Sequence, residues 1–443
     1  MNLAKPFSIV VVGGGAGGLE LVTTLGDRYA SRDDVAVTLV DVNHAHLWKP
    51  LLHEVAAGTL NSNEDELSYL AQSHWHHFNF RLGALAGVDR TTKTLTIAPS
   101  TDATGNEYIP ARTLSYDLLV LAIGSVTNDF GTPGVAEHCF FLDGRAQADR
   151  FHQRLVHNCY AANAQTEPLR EGQLHIAIAG AGATGVELAA ELHHSVRALV
   201  GFGLDRIDPQ RDVRIHLIEG ADRILPGLTE RISSSTQHAL EQIGVEIHTG
   251  ERVASADAGG FTTLSGKRIP AETKVWAAGI KGPRVLAECD GLEVNAANQL
   301  VVRQTLQTTR DDTIFALGDC AACRLAPGSE AFVPPRAQAA HQQAATVAKA
   351  ISSILANKPP PTYTYKDFGS LINLSRHSTV GSLMGNLFGR QSGSLAIEGW
   401  FARMAYLSLY KMHQIAVQGV IRTCLLTVAN VLTRHSKPRL KLH

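Results

Sequence analysis

Cysteine is scarce in this sequence, with six residues among 443, too few for a disulfide-stabilised scaffold. This scarcity favours a reducing, intracellular compartment. The N-terminal residues lack the separate apolar region and the small-residue cleavage site of a signal peptide. No stretch approaches about 18 charge-free apolar residues, so we expect no membrane-spanning helix. The length suggests about two to four globular domains.

Acidic residues are absent from the end of the chain, where Glu398 is the last one. Residues 399–443 carry seven basic residues, so this tail has a formal charge of +7, and the rest, with 33 basic against 41 acidic residues, has −8. Such a segment favours an anionic partner, either lipid headgroups or nucleic acid. The basic residues of the tail are Arg403, Lys411, Arg422, Arg434, Lys437, Arg439 and Lys441.

The tail also shows helical periodicity from Trp400 onward, and its residues 420–432 are strongly apolar. This pattern predicts one or two amphipathic helices that lie in the interface of a membrane with anionic lipids. The alternative is a helix that docks on the body of the protein or on the second copy of a homodimer. Nucleic acid is a poor fit, because no base-reading module appears. The apolar stripe consists of Phe401, Met404, Ala405, Met412, Ile415 and Ala416.

A glycine-rich turn near the N-terminus carries the first clear motif. Ser8–Val12 is a short β-branched run that predicts a buried parallel strand, and a helical pattern follows the turn. Gly13, Gly15 and Gly18 fit G-x-G-x-x-G, whose glycines let backbone amides approach a pyrophosphate. The next strand ends at Asp41, whose carboxylate suits an adenosine ribose. The complete order of strand, glycines, helix, strand and acid predicts a dinucleotide site.

The same order of elements recurs downstream. An apolar strand leads into Gly180, Gly182 and Gly185, which form a second G-x-G-x-x-G, and a helix follows. The strand after that helix ends at Glu219, again an acid. The separation from Gly185 to Glu219 is longer than usual, so we expect residues 196–212 to form an extended connection.

Two dinucleotide sites in one chain indicate two dinucleotides, most simply a resident FAD and a visiting nicotinamide cofactor. Glu219 is expected to accept the ribose 2′-hydroxyl of NADH and to repel the 2′-phosphate of NADPH. Arg223 lies close by in sequence and would soften that preference. We therefore predict FAD and NADH as the cofactors.

Three further segments resemble parts of two-dinucleotide flavoproteins. Tyr116–Ser125 resembles the strand that returns to the FAD domain, Thr313–Asp319 the late Gly-Asp segment beside FAD, and Val275–Ile280 the exit strand of the NAD domain. The resemblance implies that small residues and one acid at these strand ends contact the cofactors. These residues are Gly124, Gly318 and Asp319 on the FAD side, and Ala278 and Gly279 on the nicotinamide side.

Longer motifs resemble those of the type II NADH dehydrogenases, single-subunit NADH:quinone oxidoreductases that pump no protons. His46–Ala56 resembles the segment beside the flavin, and Pro334–Gln342 contains the quinone-site pattern A-Q-x-A-x-Q. Residues 439–443 resemble the bacterial branch. The resemblance spans essentially the whole chain. It implies electron transfer from NADH through FAD to ubiquinone or menaquinone in the respiratory chain, at the cytoplasmic face of the bacterial inner membrane.

The resemblance also implies roles for single residues. Glu187 matches a family acid near the nicotinamide and quinone sites, and Gln338 and Gln342 match the quinone-pattern glutamines. Lys49 and His53 fall in the flavin-side segment. Burial would raise the pKa of Glu187 and suit it to proton movement, whereas helix capping or ribose binding is its plain alternative. For Gln338 the alternative is a helix-packing amide.

Cys320 and Cys323 form a C-x-x-C pair that has no second pair to complete a zinc site, so we expect no metal and a structural or incidental role. The histidines of segment 74–77 are expected to be a solvated cluster. Two other functions stay open. A sulfide:quinone reductase would need reactive paired cysteines beside the flavin, and an NADH-binding redox sensor would turn over slowly.

The predicted fold is α/β, with two Rossmann-like dinucleotide-binding domains and a C-terminal amphipathic membrane-binding region. An FAD domain split between residues 1–140 and 290–357 is expected to enclose an NADH domain at residues 141–289. The C-terminal region follows at residues 358–443, after the break at Pro359.

Overall fold

A computed structural model describes the chain over residues 5–61, 66–102, 104–374, 378–384, 394–398, 400–433 and 440. These residues form parallel sheets flanked by helices together with smaller antiparallel sheets, in agreement with the predicted α/β class. The chain divides into two compact units. The first contains Met1–Trp48, Glu66–Val126 and Ile280–Asp367, and the second contains Lys49–Asp65, Thr127–Gly279 and Phe368–His443.

The helices vary from single turns to 20 residues. In chain order they are α1 (Ala16–Tyr29), α2 (Leu52–Ala57), α3 (Tyr69–Trp75), α4 (Val135–His138), α5 (Arg145–Ala164), α6 (Ala183–Val200), α7 (Glu230–Gln242), α8 (Ala337–Leu355), α9 (Trp400–Gln418) and α10 (Val420–Thr433). Short 3₁₀ helices occupy Lys49–Leu51, Arg284–Glu288 and Gly318–Cys320.

The strands of the first half of the chain are β1 (Phe7–Val12), β2 (Val35–Asp41), β3 (Ala45–His46), β4 (Leu67–Ser68), β5 (Asn79–Leu82), β6 (Leu85–Asp89), β7 (Thr94–Ile97), β8 (Ser100–Thr101), β9 (Glu107–Ile109), β10 (Arg112–Ser115), β11 (Leu118–Leu121), β12 (Val126–Thr127), β13 (Ile176–Ala179) and β14 (Ile215–Ile218). Those of the second half are β15 (Val245–His248), β16 (Val253–Asp257), β17 (Gly260–Thr263), β18 (Arg268–Pro270), β19 (Thr273–Trp276), β20 (Ile280–Lys281), β21 (Leu300–Val302), β22 (Ile314–Ala316), β23 (Ala321–Cys323), β24 (Gly369–Leu374), β25 (Ser378–Met384) and β26 (Ser394–Glu398).

A five-stranded parallel sheet in the order β22-β11-β1-β2-β5 is the centre of the first unit. Its inner strand β1 is buried on both faces over Ile9–Val12, as expected for a β-branched run covered by helices. Helix α1 packs against α8, whose alanine-rich stripe permits close approach. The strands β1, β2 and β11 therefore end at the same edge of the sheet, where α1 begins.

A four-stranded parallel sheet in the order β15-β14-β13-β19 is the corresponding centre of the second unit. One of its faces packs against the antiparallel sheet β16-β17-β18 through a core that includes Phe261, Ile269 and Trp276. Helix α2 contacts both α5 and α6 in this unit. The two parallel sheets thus repeat one arrangement, in which the central strand leads directly into a glycine turn and a helix.

The expected extended connection at residues 196–212 is wrong in its first part. Helix α6 continues to Val200, because Val196 and Leu199 are buried apolar residues in helical register. The helix ends only at Gly201. The glycines and proline that follow form turns, as the sequence predicted for that stretch.

The last part of the chain forms the antiparallel sheet β24-β25-β26, on which α9 packs. Gly419 has a φ of +78° and separates α9 from α10. Within the described residues, no helix is long and apolar enough to cross a bilayer. Arg434, Lys437, Arg439 and Lys441, four basic residues of the tail, lie outside the described residues, as do Leu442 and His443.

Candidate active site

The turn between β1 and α1 holds the three glycines of the first motif. Gly13 has a φ of +100°, and a Cβ atom added there would lie 2.4 Å from the carbonyl oxygen of Ala122. A Cβ atom at Gly18 would lie 1.8 Å from the carbonyl oxygen of Gly13. Both positions need glycine, because a side chain would push the turn away from the neighbouring strand or from its own helix.

The middle glycine of the motif is different. Gly15 is exposed, and its φ of −64° and ψ of −169° suit any residue. A Cβ atom there would meet nothing within 4 Å. Neither backbone conformation nor packing therefore requires glycine at this position. The open space adjoins the N-terminus of α1, where unpaired amides and the helix dipole favour a phosphate, so the turn fits the pyrophosphate of FAD.

Asp41, the acid predicted to meet the ribose, is buried and also holds the glycine turn. Its Oδ2 accepts a hydrogen bond of 2.6 Å from the Gly14 amide. Burial raises the pKa of Asp41, and hydrogen bonds from Gly14 and Asn43 oppose that rise. The Gly14 carbonyl is held as well, since the Tyr69 hydroxyl donates to it and the His46 ring lies 2.8 Å away.

His46 and Tyr69 are therefore supports of the first turn that sequence reasoning missed. Both are buried, and burial lowers the pKa of His46 to about 4, so its ring is neutral and donates through Nδ1 to the Gly14 carbonyl. His46 stands in the flavin-side segment, which was a usable signal. Tyr69 stands in no motif, because its role depends on where α3 packs.

The second turn, between β13 and α6, has the same three features as the first: a positive φ at its first glycine, an open middle glycine and a tightly packed third glycine. Gly180 has a φ of +103°, and a Cβ atom at Gly185 would lie 1.9 Å from the Gly180 carbonyl oxygen. Gly182 has φ and ψ of −71° and −173° and open space around it. Glu219 accepts hydrogen bonds from the amides of Ala181 (2.8 Å) and Ala221 (3.0 Å). The second turn thus fits a second dinucleotide by the same criteria.

The late Gly-Asp segment follows β22 in the first unit. Ser125 donates a hydrogen bond of 3.0 Å to the Asp319 carboxylate, and the Gln299 amide donates to the Asp319 carbonyl. Gly124 has a φ of +70° and open space at its Cβ position. The Gly318 amide donates to the side-chain oxygen of Gln343 at 2.7 Å.

The glutamines at the start of α8 have separate tasks. Gln338 donates to the Asp367 carboxylate at 3.3 Å, beside Arg336. Gln342 both donates to and accepts from the main chain of Lys366, at 2.8 and 2.9 Å. Sequence reasoning selected these two residues and missed the buried Gln343, although a glutamine in the buried alanine stripe of the helix was a visible signal.

A buried histidine and a buried acid lie together in the second unit. The Nδ1 atom of His53, on α2, is 3.7 Å from Oε2 of Glu187, on α6. Burial lowers the pKa of His53 to about 4, and the nearby charge of Glu191 opposes this effect. His53 is therefore neutral at pH 7. Lys49 lies in the 3₁₀ turn that precedes α2.

The exit of the second parallel sheet lies after β19. The indole of Trp276 donates to the carbonyl oxygens of Asn128 and Ala278. Gly279 has a φ of +72°, and a Cβ atom there would lie 2.4 Å from the ring of Phe130. The backbone at the predicted residues Ala278 and Gly279 is thus held by the Trp276 indole at Ala278 and lies against the Phe130 ring at Gly279.

Cys320 and Cys323 are buried free thiols. Cys320 donates to the carbonyl oxygens of Leu121 and Leu317, and burial raises its pKa to about 12. A thiol of this kind is a poor nucleophile. The structure therefore supports the predicted structural role of this pair and disfavours the reactive cysteines that a sulfide:quinone reductase needs.

Comparisons with known proteins decide the family. The family described as pyridine nucleotide-disulphide oxidoreductase matches residues 7–344. The type II NADH:quinone oxidoreductase of Haemophilus influenzae is 43% identical, over 98% of this chain and 100% of the relative. This chain belongs to the type II NADH:quinone oxidoreductases. The family and the fold class predicted from the sequence are thereby confirmed.

Solved structures show the fold of this family more widely. NDH2 from Plasmodium falciparum, solved in complex with NADH, has a TM-score of 0.79 and 20% identity, over 99% of this chain and 100% of that one. The sulfide:quinone oxidoreductase of Aquifex aeolicus has a TM-score of 0.71 and 18% identity, over 94% and 92% of the two chains. The fold alone therefore does not separate these activities.

The two kinds of glycine in the first turn predict two kinds of defect. We expect Gly15→Ala to lose bound flavin, because the added methyl group occupies only space that the ligand would fill. Without flavin, this variant and the parent protein should have the same melting temperature. Gly18→Ala should lower the melting temperature of the flavin-free protein itself. Flavin absorbance per protein and thermal melting measure both effects. Gly87→Ala is the control, since Gly87 also has open space. Equal melting of Gly15→Ala and Gly18→Ala would contradict this distinction.

Proposed function

We propose that this chain transfers electrons from NADH through bound FAD to a quinone. The observation that carries the proposal is the duplicated glycine turn, with its open middle glycine and an acid that accepts hydrogen bonds from the turn amides, in a full-length member of the type II NADH:quinone oxidoreductases. Family membership confirms the predicted enzyme class, its cofactors FAD and NADH, and the reaction. We assign FAD to the turn at Gly13–Gly18 and NADH to the turn at Gly180–Gly185.

Bound FAD would supply the chemistry of hydride acceptance and of electron delivery to quinone. The protein residues bind and orient. The amides at the start of α1 would hold the FAD pyrophosphate, and Asp319, oriented by Ser125, would accept hydrogen bonds from the ribityl chain. Glu219 would accept the ribose 2′-hydroxyl of NADH, while Ala278 and Gly279 would line the nicotinamide side.

Glu187 is our candidate for moving a proton or positioning the nicotinamide. Its burial and its position beside His53 support this role, because burial keeps the carboxyl group out of bulk water and the imidazole lies close enough to limit its orientation. The imidazole of His53 is uncharged at pH 7, so it would orient the Glu187 carboxylate and would not neutralise its charge. Lys49 lies just before α2 and His53 lies within it. Helix α2 packs against α6, the helix that carries Glu187.

We propose Gln338 as the quinone-site residue and Gln342 as its support. The side-chain amide of Gln338 donates a long hydrogen bond of 3.3 Å to Asp367, and the same N–H group is of the kind that donates to a quinone carbonyl. Gln342 is engaged by the Lys366 main chain through both polar groups of its amide. This pairing fixes the segment that follows α8.

Turnover by the purified protein tests the central proposal. We expect a short-chain quinone to accelerate NADH oxidation strongly over the rate with oxygen alone, with flavin absorbance bleached by NADH and restored by quinone. An NADH-binding redox sensor would bleach but turn over slowly with quinone. A sulfide:quinone reductase would be reduced by sulfide and not by NADH. Either result would overturn the proposal.

We also propose that the C-terminal helices bind an anionic membrane surface, at the cytoplasmic face of the bacterial inner membrane. Helix α10 exposes a run of large apolar side chains, with Ile421 80% and Leu432 75% exposed. Exposed apolar surface of this kind marks an interaction site, and the neighbouring Arg422 suits lipid headgroups. On α9, Met412 and Ile415 of the predicted stripe are exposed.

The opposite side of α9 supports docking on the body. Val417 and His413 are buried, and α9 packs on the sheet β24-β25-β26. Leu440 is also buried, in a cluster with Val156, Leu199 and other apolar residues of the second unit. The membrane-facing surface is therefore proposed for α10 and the exposed stripe of α9, and Leu440 is held in the core of the second unit.

Nicotinamide preference should depend on Glu219. We expect Glu219→Gln to lower the ratio of kcat/KM for NADH to that for NADPH by about tenfold, since the charge that repels the 2′-phosphate is removed, a change of about 1.4 kcal/mol. Asp222→Asn is the matched control, because it removes a neighbouring exposed charge. An unchanged ratio in Glu219→Gln would remove this residue from the ribose site.

Gln338 and Gln342 should differ when they are truncated. We expect Gln338→Ala to slow flavin reoxidation by quinone about tenfold, because one hydrogen bond to the quinone is lost. The rate of flavin reduction by NADH should stay unchanged. Gln342→Ala should instead lower the melting temperature. Stopped-flow measurement of the two half-reactions separates these effects. Equal slowing of both half-reactions in Gln338→Ala argues against a quinone contact.

Membrane binding should depend on α10. Because Ile421 and Leu425 are exposed, we expect Ile421→Ser/Leu425→Ser to abolish co-sedimentation with anionic liposomes and to leave NADH oxidation with a soluble acceptor intact. Leu70→Ser/Leu264→Ser removes equally exposed apolar side chains elsewhere and serves as the control. These point changes are cleaner than deletion of the tail, which would also remove Leu440 from its cluster. Unchanged co-sedimentation would refute the assignment of α10.

A further inference from the structure

The parallel sheet of the second unit carries a polar cluster that the proposed reaction does not use. His216 lies on β14, and Glu246 and His248 lie on β15, the edge strand. The strand register pairs His216 with Glu246, and the spacing of two residues puts Glu246 and His248 on one face. The backbone therefore brings two imidazoles and a carboxylate together at the rim of the sheet.

The three side chains converge through nitrogen and oxygen atoms. Nδ1 of His216 lies 3.3 Å from Nε2 of His248 and 3.3 Å from Oε2 of Glu246. One ligand atom from each residue falls within 4.8 Å of the other two. In the part of the chain that the structure describes, His216 is 5% exposed and its Nε2 atom has no hydrogen-bond partner.

We propose that this cluster binds a divalent first-row transition ion of the Zn²⁺ type. Imidazole and carboxylate suit such ions, and three protein ligands with a fourth position open to water form a recognised coordination set. The partial exposure of Glu246 and His248 provides the entry path from solvent. The cluster's three side chains make no hydrogen bond to the glycine turns in the described residues, and the site would add to the redox chemistry a binding function of its own.

The surroundings of the cluster favour a weak and reversible site. Arg214 donates to Oε1 of Glu246 at 2.6 Å, which orients the carboxylate and leaves Oε2 towards His216. Lys267 Nζ lies 3.0 Å from Nδ1 of His248. Metal-bound imidazoles normally donate their second N–H to an acceptor, so the exposed Lys267 must move aside when an ion binds.

Zn²⁺ titration of the full-length, FAD-loaded protein by calorimetry tests the proposal. Co²⁺ is the spectroscopic probe, read at wavelengths longer than the flavin bands. We expect one site with a tetrahedral Co²⁺ band in the parent protein and its loss in His216→Ala/His248→Ala. Glu246→Gln should bind at least about tenfold more weakly. His74→Ala/His238→Ala, which removes two exposed histidines elsewhere, should retain the site.

Lys267 provides a test that does not depend on removing a ligand. We expect Lys267→Gln to tighten Zn²⁺ binding by about three- to tenfold, because a positive charge and a competing donor are removed. This variant keeps the proposal falsifiable if the loss of buried His216 impairs folding. A parent protein without a Co²⁺ band would overturn the proposal, as would binding that survives in His216→Ala/His248→Ala. Unchanged affinity in Lys267→Gln would overturn it too, and the cluster would then be a hydrogen-bonded sheet edge only.

Discussion

The hydrogen bonds from Gly14 to Asp41 and from Ala181 to Glu219 organise the rest of each unit. Each bond ties the end of one parallel strand to the turn that leaves its neighbour, and so sets where the following helix begins. The carboxylates proposed for the two riboses, those of Asp41 and Glu219, thus also hold the glycine turns in place. Under the proposed assignment, ligand affinity and local architecture depend on the same carboxylates in both units.

Motifs whose residues are close in sequence were predictable. The glycine turns and the acids at the ends of β2 and β14 depend on short-range geometry, and the structure has them where the pattern placed them. His46, Tyr69 and Gln343 were not selected, because each meets its partner only after distant elements pack. The sequence prediction ended helix α6 too early for a related reason, because buried apolar residues near its C-terminus continue the helix to Val200.

The C-terminal region lies between these cases. Its helical periodicity placed Met412 and Ile415 on one stripe of α9, and the structure exposes both, whereas the burial of Val417 on the opposite side depends on the sheet that α9 packs on. Burial of Leu440 could not be foreseen, because one leucine in a basic run has no periodicity. Periodicity describes a face of a helix, whereas a single anchoring contact depends on the shape of the surface that receives it.

The anchoring of Leu440 makes α10 part of a closed loop. One end follows α9 at Gly419, and the other is held seven residues after Thr433, a separation that spans at most about 25 Å of extended chain. A helix held at both ends loses little further freedom when it meets another surface. Whatever α10 binds therefore stays within a short tether of the unit that carries the second glycine turn.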